Sequence, residues 1–409
     1  MPNFSIALTG LQADTVALNT IGNNLSNLNT TSFKTQSTTF SDLFYQHIGT
    51  AGSGDALQVG VGTRVSGTAT DFAQGSIATT QSSTDMALSG SGFFLVQSGA
   101  TVDLTRAGNF QLDQSGNLIT TNGENVMGYG VTGGKVNVNG GLIPLQLPVT
   151  SNQPAQSTQN VGMTTSLDST AAVGASFTSP VTLYDSLGEA QAAKVSFTKT
   201  SPTTWTYNIG LPPGAATGTP TNNTGTLTFN NSGALVSPSV NVAGVSFPGL
   251  ADGAQNLSFN FNLYNPAGAS TITQTAGTSN TTATTQDGFS AGAYQSFTVA
   301  ADGTISATFS NGQTTNIGQV AVGTVVNESG LARAGSNNYA TTDVSGSVSI
   351  GVANVGGRGS IHGDALEQSN VDISAEFSNL IVAQRAFEAN SKTVTTFDSV
   401  TQEAIGMIR

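Results

Sequence analysis

The stretch NTIGNNLSNLNTTSFK, Asn19 to Lys34, decides how the chain is read. Ile21, Leu25 and Leu28 recur at helical spacing, yet asparagine fills much of the space between them. Asparagine is a poor helix former because its amide competes for backbone groups, which favours caps and turns. Upstream, Phe4, Leu11, Leu18 and Leu25 fall seven apart, flanked by Ala7, Leu8, Ile21 and Leu28. The spacing predicts an amphipathic helix of heptad type over about 25 residues, roughly 37 Å long. A helix with one apolar stripe needs a partner, because it cannot bury that stripe against itself.

The other end of the 409-residue chain carries a second stripe. Ile373, Leu380, Phe387, Val394, Thr401 and Ile408 fall seven apart, widened by Phe377, Ile381 and Ile405. Asn370 and Asp372 are both candidate N-caps for this second helix. The two helices can pair with each other, parallel or antiparallel, or with helices of other copies.

Between the ends the apolar period changes from 3.6 to 2, the signature of strands. Phe297–Val299, Ile305–Phe309 and Ile317–Val326 are separated by Asp302-Gly303 and Asn311-Gly312, which read as hairpin turns. Residues 92–130 repeat the pattern, and Val181–Gly210 reads as three strands around two turns. Two polar passages, Pro144–Asn160 and Thr275–Gly288, look like the exit from one β domain and the return to it. The expected fold is mainly β with a terminal α-helical coiled-coil domain, the β domains nested between the helices. The expected divisions are 1–64 with 360–409 (helices and linker), 65–147 with 287–359 (middle β domain) and 148–286 (inserted outer β domain).

Composition narrows the function. Only 8% of residues are charged, with 11 basic against 23 acidic and a net charge of −12. Nucleic acid requires clustered Lys and Arg to meet phosphates, so it is not an expected partner. No apolar run reaches the 18 residues that suggest a membrane span, and no membrane insertion is expected. The N-terminus has neither the basic nor the continuous apolar segment of a conventional secretory signal. The chain contains no cysteine, which removes thiolate chemistry and disulfides.

No catalytic constellation emerges. Gly128–Gly133 (GYGVTG) has the spacing of a dinucleotide fingerprint, but it leads into an alternating strand pattern instead of a helix. Gly288–Gly292 (GFSAG) has the spacing of a nucleophile elbow, but the sequence before it is polar where the elbow needs a buried strand. His47 and His362 lie outside any metal-like spacing. Neither an enzyme nor a cofactor is expected.

The two ends together carry a family resemblance. SIALTGLQADTVALNTIGNNLSNLNTTSFK (Ser5–Lys34) resembles the N-terminal signature of the bacterial flagellar rod and hook family, with Ser32 where that family often has glycine. LEQSNVDISAEFSNLIVAQRAFEANSKTV (Leu366–Val394) resembles its C-terminal signature. Asp71–Val96 and Thr105–Thr120 resemble its inner β region, and Val181–Phe197 resembles the outer domain of its hook members. Rod members lack such an insertion, so the resemblance implies a hook subunit: an extracellular homopolymer forming a curved, flexible tube that transmits torque. It further implies export through the flagellar type III apparatus without a cleaved signal, and contacts with rod, hook cap and hook–filament junction proteins. A distal rod subunit, or a secreted β-rich adhesin or surface-layer protein, is the alternative.

On that reading the residues expected to carry subunit assembly are Leu11, Leu18, Ile21, Asn23, Asn24, Leu25, Asn27, Leu28 and Phe33 at one end. At the other they are Asn370, Val371, Phe377, Leu380, Gln384, Arg385, Phe387, Asn390 and Val394. The asparagines are expected to bond between subunits, supplying geometry without net charge.

Overall fold

The structure, a computed structural model, describes residues 4–50 and 56–407. Of Phe4, residues 46–50, Ala56 and Leu57 it describes the backbone only, so the side chains of Phe4 and His47, and all of Ile408, lie outside the described residues. The chain forms two compact units: Met1–Val149 with Phe297–Ala307 and Thr315–Arg409, and Thr150–Ser296 with Thr308–Thr314.

In the first unit helix α1 (Phe4–Ser26) leads into strands β1 (Gln36–Asp42), β2 (Tyr45–Thr50), β3 (Ala56–Gly60) and β4 (Thr63–Thr70). β1 pairs antiparallel with β4, and β2 with β3. What reads as a linker after α1 is therefore a ribbon, favoured by the β-branched residues of QSTTFSD and TRVSGTAT. Four short strands follow: β5 (Ile77–Thr79), β6 (Met86–Ser89), β7 (Phe93–Ser98) and β8 (Thr101–Thr105). β5 and β6 pair with segments from far along the chain, Ala365–Glu367 and Ser360–Gly363.

The main sheet of this unit centres on the β7–β8 hairpin. Asn125–Thr132 pairs with β7 and with Thr314–Thr324, and Asn338–Ala340 pairs with β8. Phe93, Leu95, Leu104, Met127, Tyr129, Ala321 and Tyr339 form its core. Gly128–Thr132 of the GYGVTG stretch lies within one of these strands and turns into another at Lys135–Val136, where a dinucleotide fingerprint would open a helix. Helix α2 (Ile373–Gly406), 34 residues long, closes the chain. Asp372 is its N-cap, accepting from the amides of Ser374 and Ala375 at 2.8 and 3.2 Å. Neither α1 nor α2 is long and apolar enough to cross a membrane.

The second unit has two five-stranded sheets sharing one core. A meander runs from Ser176–Tyr184 through Ala190–Ser201, Thr204–Gly210 and Thr224–Phe229 to Leu235–Ser237. Asn160–Asp168 lies within the other sheet and alternates buried with less buried residues along its length, as a strand with one face inward must. The polar passage after Thr275 is no simple linker. Asn280–Gln286 is a strand antiparallel to Asn160–Asp168, held by backbone bonds and threonine propensity although almost every side chain is exposed.

Phe197 and Phe261 lie at the centre of this core. Replacing a fully buried Phe with Ala removes its contacts and leaves a cavity, for a loss of about 3–5 kcal/mol. Phe197→Ala is expected to lower unfolding free energy by that amount in denaturant titration. Val173→Ala, at a residue 64% exposed, should stay within about 0.5 kcal/mol of the parent.

Candidate assembly site: the joined termini

The end of α1 and the approach to α2 meet in a buried polar clasp. Ser32 adopts φ 55°, a left-handed conformation uncommon outside glycine. That geometry aims its amide at the Glu367 carbonyl (2.9 Å) and its hydroxyl at the Arg106 carbonyl (2.8 Å). Two residues on, Lys34 is 0% exposed and Glu367 1%. The Lys34 ammonium donates to Glu367 Oε1 at 2.6 Å and to the Ala73 carbonyl at 2.9 Å. The Gly75 amide gives the same carboxylate oxygen a further bond of 2.9 Å. A Cβ at residue 75 would stand 2.0 Å from the Gln368 carbonyl oxygen, so only glycine allows this approach.

Arg106 completes the cluster. Its guanidinium lies 3.6 Å from Glu367 Oε2, over the Phe93 ring, and donates to the Gly90 carbonyl at 2.7 Å. Burial lowers the pKa of both Lys34 and Arg106, and the Glu367 carboxylate beside them works in the opposite direction. Asn370, the other candidate cap, spans the joint instead. Its Oδ1 accepts from the amide and hydroxyl of Thr35, and its amide donates to the carbonyls of Asp71 and Ala73.

Beyond the clasp, α1 and α2 run antiparallel, since Asn24 meets Glu376 while Asp14 meets Asn390. The residues brought together are small or polar. Ala7 and Ala13 are buried, and a Cβ on Gly10 would lie 2.7 Å from the Asn390 amide. Leu11, Leu18, Ile21, Leu25 and Leu28 are half-buried, and Leu8, Phe377 and Ile381 are 52%, 52% and 59% exposed. Seven-residue spacing finds the largest apolar side chains, but a close helix pair selects the smallest ones for its seam.

The remaining expected residues are distributed unevenly. Phe33 and Val371 are buried, with the Arg333 guanidinium over the Phe33 ring. Leu380, Asn390 and Val394 are half-buried, whereas Asn23, Gln384, Arg385 and Phe387 are exposed. Asn24 is turned inward. Its amide donates to the Gln36 carbonyl (2.8 Å) and Glu376 Oε1 (3.1 Å), and its Oδ1 accepts from the Gln36 amide (3.0 Å). Asn27 donates to the Asn23 carbonyl and accepts from Thr30. Both asparagines make these bonds within the chain.

A groove of about 640 Å³ runs between α1, β1 and α2, with Ala17, Ile21, Phe40, Ala383 and Ala386 among its lining residues and Glu376 on its wall. Burial raises the Glu376 pKa, partly offset by the bond from Asn24. Among the described residues, no three His, Asp or Glu side chains converge as a metal would require.

Four protein-family profiles match the chain in order. They are flagella basal body rod protein (residues 4–34), flagellar hook protein FlgE/F/G D1 domain (87–159), flagellar basal body protein FlaE D2 domain (152–289) and flagellar basal body rod FlgEFG protein C-terminal (363–407). The flagellar hook protein FlgE of Salmonella typhimurium is 34% identical over 420 residues, covering 99% of this chain and 100% of that one. The chain belongs to the flagellar hook protein family. FlgE of Escherichia coli is 33% identical over 422 residues, with 99% of each chain covered. FlgE of Borreliella burgdorferi is 31% identical over 440 residues, with 97% of each covered. The crystal structure of Helicobacter pylori hook protein FlgE2 aligns with a TM-score of 0.55 at 15% identity, covering 71% of this chain and 100% of that one; the fold is shared. As a hook family member, the chain is a structural subunit of the flagellar hook.

The clasp joins the two terminal family segments, for Lys34 ends the first and Glu367 lies near the start of the last. Sequence reasoning missed Glu367, Arg106, Asp14 and Glu376, and treated Lys34 only as the end of a motif. The available signal was scarcity: with 8% charged residues, each charge inside a signature invites the question of its partner.

Removing one partner of a buried ion pair strands the other, at about 3–5 kcal/mol. Lys34→Met and Glu367→Leu are each expected to lose that much in thermal or chemical unfolding. The double variant should lose less than the sum of the two, because no stranded Lys34 or Glu367 charge remains, while Arg106 keeps the cost of losing its carboxylate. Additive losses would show that the pair does not act as a unit.

Glu376 sets a pH dependence of definite sign. Its folded pKa lies above its unfolded value, so the carboxylic acid is the form that the fold prefers. The contribution is present at low pH and is lost as pH rises through the raised pKa. Glu376→Gln keeps an acceptor for Asn24 and is expected to flatten the melting-temperature profile as pH rises from the ordinary carboxylate range through the raised pKa. An unchanged profile would remove Glu376 as its source.

Proposed function

We propose that this hook subunit polymerises with copies of itself into a curved, flexible tube that acts as a universal joint and carries torque between rod and filament. The observation that carries the reading is α2: its N-terminal half is tied to α1 and the clasp, yet Ile373, Phe377 and Ile381 on another face are left 45–59% exposed. Large exposed apolar faces mark association sites. A contact surface that does not meet its own copy generates an open helical array.

On this reading residues 1–64 with 360–409 form the assembly domain, 65–147 with 287–359 a middle β domain, and 148–286 an outer β domain. The neutral polar surface suits a joint that bends. Contacts among Thr, Ser, Asn and Gln, many through water, exchange at small cost as subunits slide, whereas ion pairs fix one register. Rod, hook cap and hook–filament junction proteins are the proposed neighbours at the ends of the tube, and the type III apparatus the route to the cell exterior.

Electron microscopy of the purified full chain across a concentration series tests the reading. Curved tubes above a critical concentration are expected. Monomers or closed small oligomers at every concentration would overturn it.

A further inference from the structure

We propose that the ridge Ile373–Phe377–Ile381–Arg385 on α2 of one copy docks into the groove between α1, β1 and α2 of a second copy, bringing Arg385 to the second copy's Glu376. The inference rests on the homopolymer reading above and names the two surfaces that meet.

The groove asks for a cationic donor. Ala17, Ile21, Phe40, Ala383 and Ala386 give it an apolar lining. Glu376 stands in its wall only 6% exposed, and its Oε2 has no hydrogen-bond partner. A buried carboxylate oxygen left unpaired is costly, and the single bond from Asn24 serves the other oxygen. Asp14 and Asp71 add carboxylates to the same lining, so the groove as a whole is acidic.

The ridge supplies what the groove lacks. Ile373, Phe377 and Ile381 are spaced four apart and 45%, 52% and 59% exposed. Rows at this spacing are the ridges that seat in grooves. Arg385 continues the row by one more turn. Its partner within the chain is Glu388, at 3.0 Å, with the two side chains 78% and 65% exposed. Such an exposed pair is worth little, so the guanidinium is free to exchange it for Glu376. From Ile373 to Arg385 the ridge spans roughly 18 Å, and the α2 wall of the groove, Glu376 to Ala386, roughly 15 Å.

The two surfaces lie on opposite sides of α2. Ala386, in the groove, is nine residues from Phe377, on the ridge, and at 100° per residue the two point about 180° apart. A copy that seats its ridge in one neighbour therefore offers its groove to another. The contact is heterologous and propagates instead of closing into a dimer.

The absence of cysteine makes the contact directly testable in the full chain. Tubes are assembled from an equimolar mixture of the Ile381→Cys and Phe40→Cys chains, then treated with a short bismaleimide. A covalent dimer is expected from the mixture at no less than fivefold its yield from either variant alone. A second measurement needs no cysteine: Arg385→Glu should raise the critical concentration for tubes at least tenfold, while Arg385→Lys should bring it most of the way back. Wild-type tubes with no mixed dimer and an unchanged critical concentration for Arg385→Glu would overturn this pairing and leave the homopolymer intact. Failure of the wild-type chain to form tubes would overturn both.

Discussion

The first unit depends on a single meeting of opposite charges in a place without water. Lys34 and Glu367 are 333 residues apart in sequence and 2.6 Å apart in space. Around them Ser32, Gly75, Asn370 and Arg106 are fixed by bonds that need the pair in register. Both helices leave from this point, so their antiparallel alignment is set at one end before any side chain of the seam is considered. Buried ion pairs are weak contributors to net stability, because desolvation opposes attraction, but a mispaired alternative is severely penalised. What the cluster supplies is uniqueness of the join.

The same logic explains the asparagines. A helix whose sides must meet another helix and a β-ribbon at once cannot be satisfied by leucine alone. Thr20 bonds to Thr38 of β1, and Asn24 holds both backbone groups of Gln36 together with the Glu376 carboxylate. Asn24 reproduces a strand-like pair of bonds with a side chain, something only an amide with adjacent donor and acceptor can do. The poor helix propensity of asparagine is tolerated because the tertiary contact outweighs it.

Much of the fold was legible. Strand alternation and the Asp302-Gly303 and Asn311-Gly312 turns place real strands, at Tyr294–Val299, Thr304–Phe309 and Thr314–Thr324. Both helices lie where their stripes predict. The seam between them was not legible, because heptad reading weighs side chains by apolar size whereas Gly10 and Asp14 meet Asn390 at close range. The Asn280–Gln286 strand was hidden for a related reason: its ladder is backbone, and its side chains carry no apolar period. The clasp left no local trace, because its pairing spans 333 residues, and the scarcity of charge was its one signal.

A usual soluble protein keeps its charges outside and its neutral groups within. Here a surface of threonine, serine and asparagine encloses the best-formed ion pair, and among the described residues the sole exposed salt bridge is Arg385–Glu388. Dissolved ions screen charges they can approach, over about 8–10 Å at ordinary ionic strength, but they do not reach a buried ammonium. The join of the two termini is thereby insulated from the salinity of its surroundings. In fresh water or in brine, the joined termini keep the same internal geometry.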